Sequence, residues 1–301
     1  MAGGDPRELL QRLPAELEKL LLDSRAIATN ALTGLHRSPY RGSSIEFREH
    51  REYQHGDDLR RLDWRVYAKS DRLYIKQFED ETTLTVEIVI DTSSSMSYQS
   101  TATSVSKFER AQLLTAAIAD LAIRQGDAVR LWSVSDCLEV LTEQRRQESH
   151  LLEVARTLTE LSPEGVDAPT ISFEHLASEL HKRSVVVVVS DVLFETEAFL
   201  TPLRSLQAKQ FDLNVLRVND PQEIDFDFSQ PSYFECLETS RQTFVHPNLF
   251  RKAYQAEWMK REKALVDACR QSHITLHRHR TDHEPVDTLQ SWMEYRHRAL
   301  R

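Results

Sequence analysis

Leu84-Thr-Val-Glu-Ile-Val-Ile-Asp91-Thr-Ser93-Ser-Ser95-Met96 is an alternating apolar strand that runs straight into three hard oxygen donors, Asp91, Ser93 and Ser95. Spaced two apart on extended chain, these side chains point the same way and can converge on one small divalent cation, which prefers oxygen ligands. The competing reading is a Ser-rich strand-to-helix turn in which Asp91 accepts backbone hydrogen bonds and the serines act as caps.

Working outward, strand and helix patterns alternate after residue 82, which predicts an α/β fold with a mostly parallel sheet covered on both faces. Strands are expected near 84–91, 128–135, 138–142, 184–190, 212–218 and 273–278, with helices near 107–125, 147–161, 171–183, 194–208, 247–271 and 284–299. Val185 to Val189 is an unbroken β-branched run, as in a strand buried on both faces, and it ends at Ser190-Asp191. The connection at Ser135-Asp136 is too short for a crossover helix, so 128–142 reads as an antiparallel hairpin at a sheet edge. Upstream, Leu9, Leu10, Leu13, Leu17, Leu20, Leu21 and Ile27 recur at helical spacing and predict one or two amphipathic helices. From Gly42 to Lys76, short segments broken at Gly56-Asp57-Asp58 and dotted with aromatics predict a β-ribbon with loops. The expected organisation is therefore an N-terminal helical segment over 1–35, a ribbon and loop region over 36–81, and a large α/β domain over 82–301.

Composition narrows the function. The chain is 40% hydrophobic but holds no long apolar run, which excludes a bilayer span and a signal-peptide core and leads us to expect a cytoplasmic protein. Cys137, Cys236 and Cys269 lie far apart without CxxC spacing, so they read as ordinary small buried residues, outside any disulfide framework or zinc knuckle. A net charge of −9 argues against nucleic acid and anionic lipid as partners. The basic residues between Arg37 and Lys76 are matched by acids between Glu46 and Asp80, so this stretch suits internal salt bridges or a polar docking surface. Its interleaved aromatics and arginines could stack on single-stranded nucleic acid, but the equal acidic content opposes it. Seven glycines and no GxxxxGK[ST] sequence exclude a phosphate-loop motor.

Ligands of open α/β sheets gather outside the carboxyl ends of the strands, where the strand order reverses. Asp91 and Asp191 both end strands and can face a common site there if those strands are neighbours. Thr170, in Pro169-Thr170-Ile171-Ser172, offers a hydroxyl from a third loop and is equally suited to cap the helix that follows. A strand ending in Asp91 could also serve a metal-dependent hydrolase or phosphotransferase. Such sites usually carry a second acid two residues on, where this chain has Ser93, and Glu46, Glu49, Asp57 and Asp58 read as solvated or salt-bridged acids. We therefore expect recognition without turnover and assign no catalytic residue. His273, His277, His279 and His283 cluster near the last strand; His277 and His279 share a face at a spacing that can bind zinc, though a polar strand end explains them as well.

The motif Asp91-Thr-Ser93-Ser-Ser95-Met, followed by a loop threonine and by Ser-Asp191 after a hydrophobic strand, resembles the metal-ion-dependent adhesion site of von Willebrand factor A domains. Upstream, Gly42, Glu46-Phe47, Arg51-Glu-Tyr53, Gly56-Asp57-Asp58, Arg60, Asp63-Trp64 and Ala68 resemble the signature of the domain of unknown function 58 family, which joins such a ribbon to an A-type domain. The likeness covers roughly residues 36–220. It implies that Ser93, Ser95 and Thr170 coordinate Mg²⁺ or Mn²⁺ while Asp91 and Asp191 act as anionic partners, leaving an open position for a carboxylate of another protein. It further implies a MoxR-type AAA+ ATPase as that protein, with this chain as its adaptor. Members commonly approach the loop threonine through glycines, whereas this chain has Val166-Asp167-Ala168-Pro169-Thr170, which makes Asp167 or Ser172 substitutes for the third ligand.

Overall fold

The computed structural model describes residues 14–36, 47–52, 66–67, 73–78, 84–165, 176, 178–180, 184–193, 196–207 and 211–299. The chain forms two compact units, one of residues 36–83 and the other of 1–35 together with 84–301. In the smaller unit, β1 (Phe47–Glu52) and β2 (Tyr74–Phe78) pair antiparallel, with an irregularity between Phe47 and Glu49. This is the expected ribbon; most of the signature residues around it, from Tyr53 to Arg65, lie outside the described residues.

The larger unit is built on a six-stranded sheet of order β10-β7-β6-β3-β4-β5. Its strands are β3 (Thr85–Asp91), β4 (Ala128–Val134), β5 (Leu138–Val140), β6 (Ser184–Ser190), β7 (Asp212–Asn219) and β10 (Thr275–Arg280). All neighbours run parallel except β4 and β5, the antiparallel hairpin expected at an edge. All seven residues of β6 are buried, as its valine run demands of a central strand.

Side-chain alternation splits the core in two. On one face Val86, Ile88, Ile90, Val129, Leu131, Val185, Val187 and Val189 pack with helices α1 (Ala15–His36), α2 (Lys107–Arg124), α3 (Glu148–Glu160) and α7 (Pro285–Ala299). On the other face Val89, Trp132, Val186, Val188 and Val215 pack with α4 (Thr196–Gln207) and α6 (Pro247–Gln271). The N-terminal helix α1 contributes Leu17, Leu21, Ala28 and Ala31 to the first cluster, an apolar stripe at the helical period. The start of α2 is fixed by a capping box, in which Ser106 Oγ accepts from Glu109 N–H and the Glu109 carboxylate accepts from Ser106 N–H. Of the helix expected over 171–183, only Leu176 and Ser178–Leu180 are described, and Leu180 N–H donates to Leu176 C=O.

Three expectations need correction. The last strand begins at Thr275, two residues later than anticipated, because His273 takes a left-handed φ of 48° and Ile274 N–H returns to Cys269 C=O, closing α6 before the strand can start. Between β7 and α6 the chain also forms a short helix, α5 (Pro221–Asp225), and a separate hairpin of β8 (Ser232–Glu235) and β9 (Gln242–Val245), neither of them anticipated. Of the three cysteines only Cys269 is buried; Cys137 and Cys236 sit exposed in turns. Among the described residues, no helix is long and apolar enough to cross a membrane.

Candidate functional site

Strand order reverses between β3 and β6: the chain steps from β3 outward to β4 and β5, then returns to β6 on the other side of β3. A crevice therefore opens at the carboxyl ends of these two neighbours. Ile90 is the register partner of Val189, which sets the two strand ends side by side, and Ser190 Oγ donates to Asp91 Oδ2 at 2.6 Å. The condition under which Asp91 and Asp191 could face one site is met.

Asp91 is only 2% exposed. Its Oδ1 accepts from Ser93 N–H at 2.9 Å, as the turn reading of this motif expects, but Ser93, at the N-cap of the turn that follows, makes no side-chain capping bond. Burial, and then the negative charge of Asp191, push the Asp91 carboxyl up to about 6 against the hydrogen bonds from Ser190 and Ser93. The following residues form a single 3₁₀ turn, Ser94–Ser97, that carries Ser95 back over the strand end. Ser93 Oγ and Ser95 Oγ stand 3.1 Å apart, both buried. Adjacent ligands of an octahedral Mg²⁺ at about 2.1 Å are themselves about 3 Å apart, so this pair of hydroxyls has the spacing of two such ligands.

Asp191 is fully buried and held from several sides. Lys107 Nζ, at the first residue of α2, donates to its Oδ2 at 2.7 Å and to Glu223 Oε1 of α5 at 2.6 Å. These two carboxylates hold the Lys107 ammonium strongly protonated despite its complete burial, and burial in turn raises the Glu223 carboxyl. Leu193 N–H donates to Asp191 Oδ1 at 3.3 Å, while the side chains of Arg217 and Asn219 bind its backbone carbonyl. Val192, a β-branched residue at φ 50°, turns the chain sharply after it. Asp191 is thus already paired with a buried lysine.

Two further groups complete the rim. Gly165 C=O accepts from both Ser94 N–H and Ser94 Oγ, tying the loop that follows α3 to the serine turn. Its φ of 107° requires glycine. Thr170, with its substitutes Asp167 and Ser172, lies outside the described residues. Glu238, from the turn of the β8–β9 hairpin, reaches this site, and its Oε1 accepts from Ser95 N–H at 2.8 Å. Glu238 Oε2 is buried and has no hydrogen-bond partner among the described residues.

The structure brings together four of the five residues singled out from the sequence, Asp91, Ser93, Ser95 and Asp191. Sequence reasoning missed Lys107, Glu223 and Glu238. Lys107 heads an amphipathic helix, where a lysine ordinarily faces water, and Glu238 sits in a polar turn with no apolar pattern around it. Hydroxyl and carboxylate oxygens suit Mg²⁺ or Mn²⁺, and the orphaned Glu238 oxygen fits a nearby cation. Among the described residues no group of three or more His, Cys, Asp or Glu could hold a metal, so any ion here would rest mainly on hydroxyls. His277 and His279 are buried singly against α7: Nδ1 of His279 bonds Thr288 Oγ1 at 2.8 Å, and that of His277 approaches Ser291 Oγ at 3.4 Å. Burial lowers His277 to about 4 and, with the charges of Arg110 and His283, lowers His279 to about 3, so both are neutral core residues.

Three comparisons bear on this arrangement. The family model described as "Protein of unknown function DUF58" matches residues 49–264. An uncharacterized protein of Mycobacterium tuberculosis is 27% identical over 221 residues, covering 71% of this chain and 67% of that protein. Among solved structures, an aerotolerance-related membrane protein from Bacteroides fragilis superimposes with a TM-score of 0.50 at 16% identity, over 70% of this chain and 97% of that one. A von Willebrand factor type A protein from Catenulispora acidiphila matches with a TM-score of 0.43 at 13% identity, over 74% of this chain and 42% of that one. The strand order and the helices on both faces are those of the mostly parallel α/β sheet expected from the sequence.

Proposed function

This chain belongs to the DUF58 family, and from that premise we propose that it is a protein-interaction module whose contact is made through a divalent cation at the β3 and β6 ends. Ser93 and Ser95 would hold Mg²⁺ or Mn²⁺ directly, with Thr170 as the third hydroxyl and Asp91 and Asp191 supplying negative charge behind them. The ion would contribute an open position that takes a carboxylate from a partner. The family resemblance suggests a MoxR-type AAA+ ATPase as that partner, with this chain as adaptor.

The observation that supports this reading best is the pair of buried hydroxyls 3.1 Å apart beside two neighbouring strand-end acids. The same geometry weighs against a phosphotransferase. The Asp91 oxygens each accept a hydrogen bond, and the group is too deeply buried to attack a substrate.

Mn²⁺ titration followed by calorimetry tests the site. The wild-type chain is expected to bind one ion, and Ser93→Ala combined with Ser95→Ala to weaken binding at least tenfold, about 1.4 kcal/mol, while circular dichroism stays unchanged. Unaltered Mn²⁺ binding in the double variant would place the ion elsewhere. Capture of a purified MoxR-type ATPase with and without chelator then tests the partner, and metal-stimulated hydrolysis of a generic phosphomonoester by the chain alone would favour the enzymatic reading instead.

A further inference from the structure

We propose that Glu238 is a tethered stand-in for the partner's acid, an autoinhibitory carboxylate that the β8–β9 hairpin holds at the mouth of the cation site. The inference rests on the reading of that site given above. Glu238 comes from the β8–β9 hairpin, and its Oε1 takes the N–H of Ser95, the residue whose hydroxyl is one of the two paired oxygens. Its second oxygen is buried with no hydrogen-bond donor among the described residues. A buried, unsatisfied carboxylate oxygen is costly, and a cation held by Ser93 and Ser95 is the kind of group that removes the cost.

The carrier of Glu238 is suited to movement. Strands β8 and β9 pair only with each other, through Ser232–Val245, Tyr233–Phe244, Phe234–Thr243 and Glu235–Gln242, and form no ladder with the central sheet. The turn is closed locally by Cys236 N–H to Arg241 C=O and Ser240 N–H to Cys236 C=O. Phe234 provides aromatic anchorage, its ring packed against Phe226 and Phe228. Tyr233 and Phe244, on the other face of the ribbon, are 72% and 51% exposed. Displacing the hairpin therefore breaks no hydrogen bond of the main sheet. Held on a short tether, its carboxylate has an effective concentration on the order of millimolar at the site, so an incoming acid must outcompete it.

A purely structural role makes a different prediction. If Glu238 only caps Ser95 N–H, glutamine serves as well, because its side-chain oxygen accepts the same bond; if the carboxylate occupies a ligand position, glutamine loses the charge that holds it there. The test uses the full chain loaded with Mn²⁺, water-proton relaxation as the readout, and acetate as the competing carboxylate. Glu238→Gln and Glu238→Ala are both expected to gain relaxivity as water reaches the ion, and to respond to at least about tenfold less acetate than wild type. Equal relaxivity and equal acetate response in all three proteins, with Mn²⁺ bound in each, would overturn the tether and leave the cation site standing. A wild-type chain that binds no Mn²⁺ would overturn both.

Discussion

Two of the places in which the molecule buries ionisable side chains are built in opposite ways. On β10, His277 and His279 enter the core as neutral rings; their hydrogen-bonding partners are the hydroxyls of Ser291 and Thr288, and burial, joined at His279 by the charges of Arg110 and His283, drives both below their ordinary range. At the ends of β3 and β6 the buried groups are acids that meet a charged lysine, two serine hydroxyls and a carboxylate from a distant hairpin. In the first place the rings stay neutral, although Nε2 of each is buried without a hydrogen-bond partner among the described residues. The second sets two hydroxyls 3.1 Å apart beside acids that share a single lysine.

The sharpest way to break this contrast is to remove Lys107. Lys107→Met strips the counterion from Asp191 and Glu223 together, and loss of one partner from a buried pair costs about 3–5 kcal/mol. Urea unfolding should register this as a large drop in midpoint; a change below about 1 kcal/mol would mean that the pair behaves as an exposed one.

Next in size is Gly165→Ala. An L-residue at φ 107° is strained by about 1–3 kcal/mol, and the added Cβ would also press on the Asp136 carboxylate. We expect a fall in melting temperature, with weaker Mn²⁺ binding because Ser94 loses its anchor. An unchanged affinity would detach the loop from the site.

The histidines supply the gentlest test. Their folded values lie near 3 and 4 against an ordinary 6.5, so between pH 6.5 and about 4 the unfolded chain binds protons that the fold refuses. Stability must therefore fall as the pH drops through that window, by at most about 1.4 kcal/mol per pH unit for each histidine. His279→Leu should flatten the slope of stability against pH over that range, and a slope that survives in the double variant with His277→Leu would assign the acid sensitivity to other groups.

The same contrast explains how much could be read in advance. Elements whose side chains face the core announce themselves: the valine run of β6, the alternation of β3 and the short Ser135-Asp136 connection each fix one structural outcome, because burial constrains every position. Strand neighbours brought Asp91 and Asp191 together as expected. The β8–β9 hairpin was illegible for the opposite reason. Its strands are four residues long and largely exposed, so Ser232, Glu235, Gln242 and Thr243 carry no apolar rhythm. Lys107 was hidden differently: as the first residue of an amphipathic helix it looks like a solvated charge, and only the approach of α5 and the end of β6 converts it into a buried counterion.

The two borders of the main sheet carry one more consequence. Strand β5 contributes just three residues at one margin, and β10 at the other displays Arg278 and Arg280, the former paired with Glu262 and the latter with Asp225 and Asp282. Truncation and charge at the margins are the features by which native sheets refuse additional strands. Recruitment by strand addition is thereby discouraged, as is filament growth through the same margins, and selective contact is directed to the loops at the strand tips.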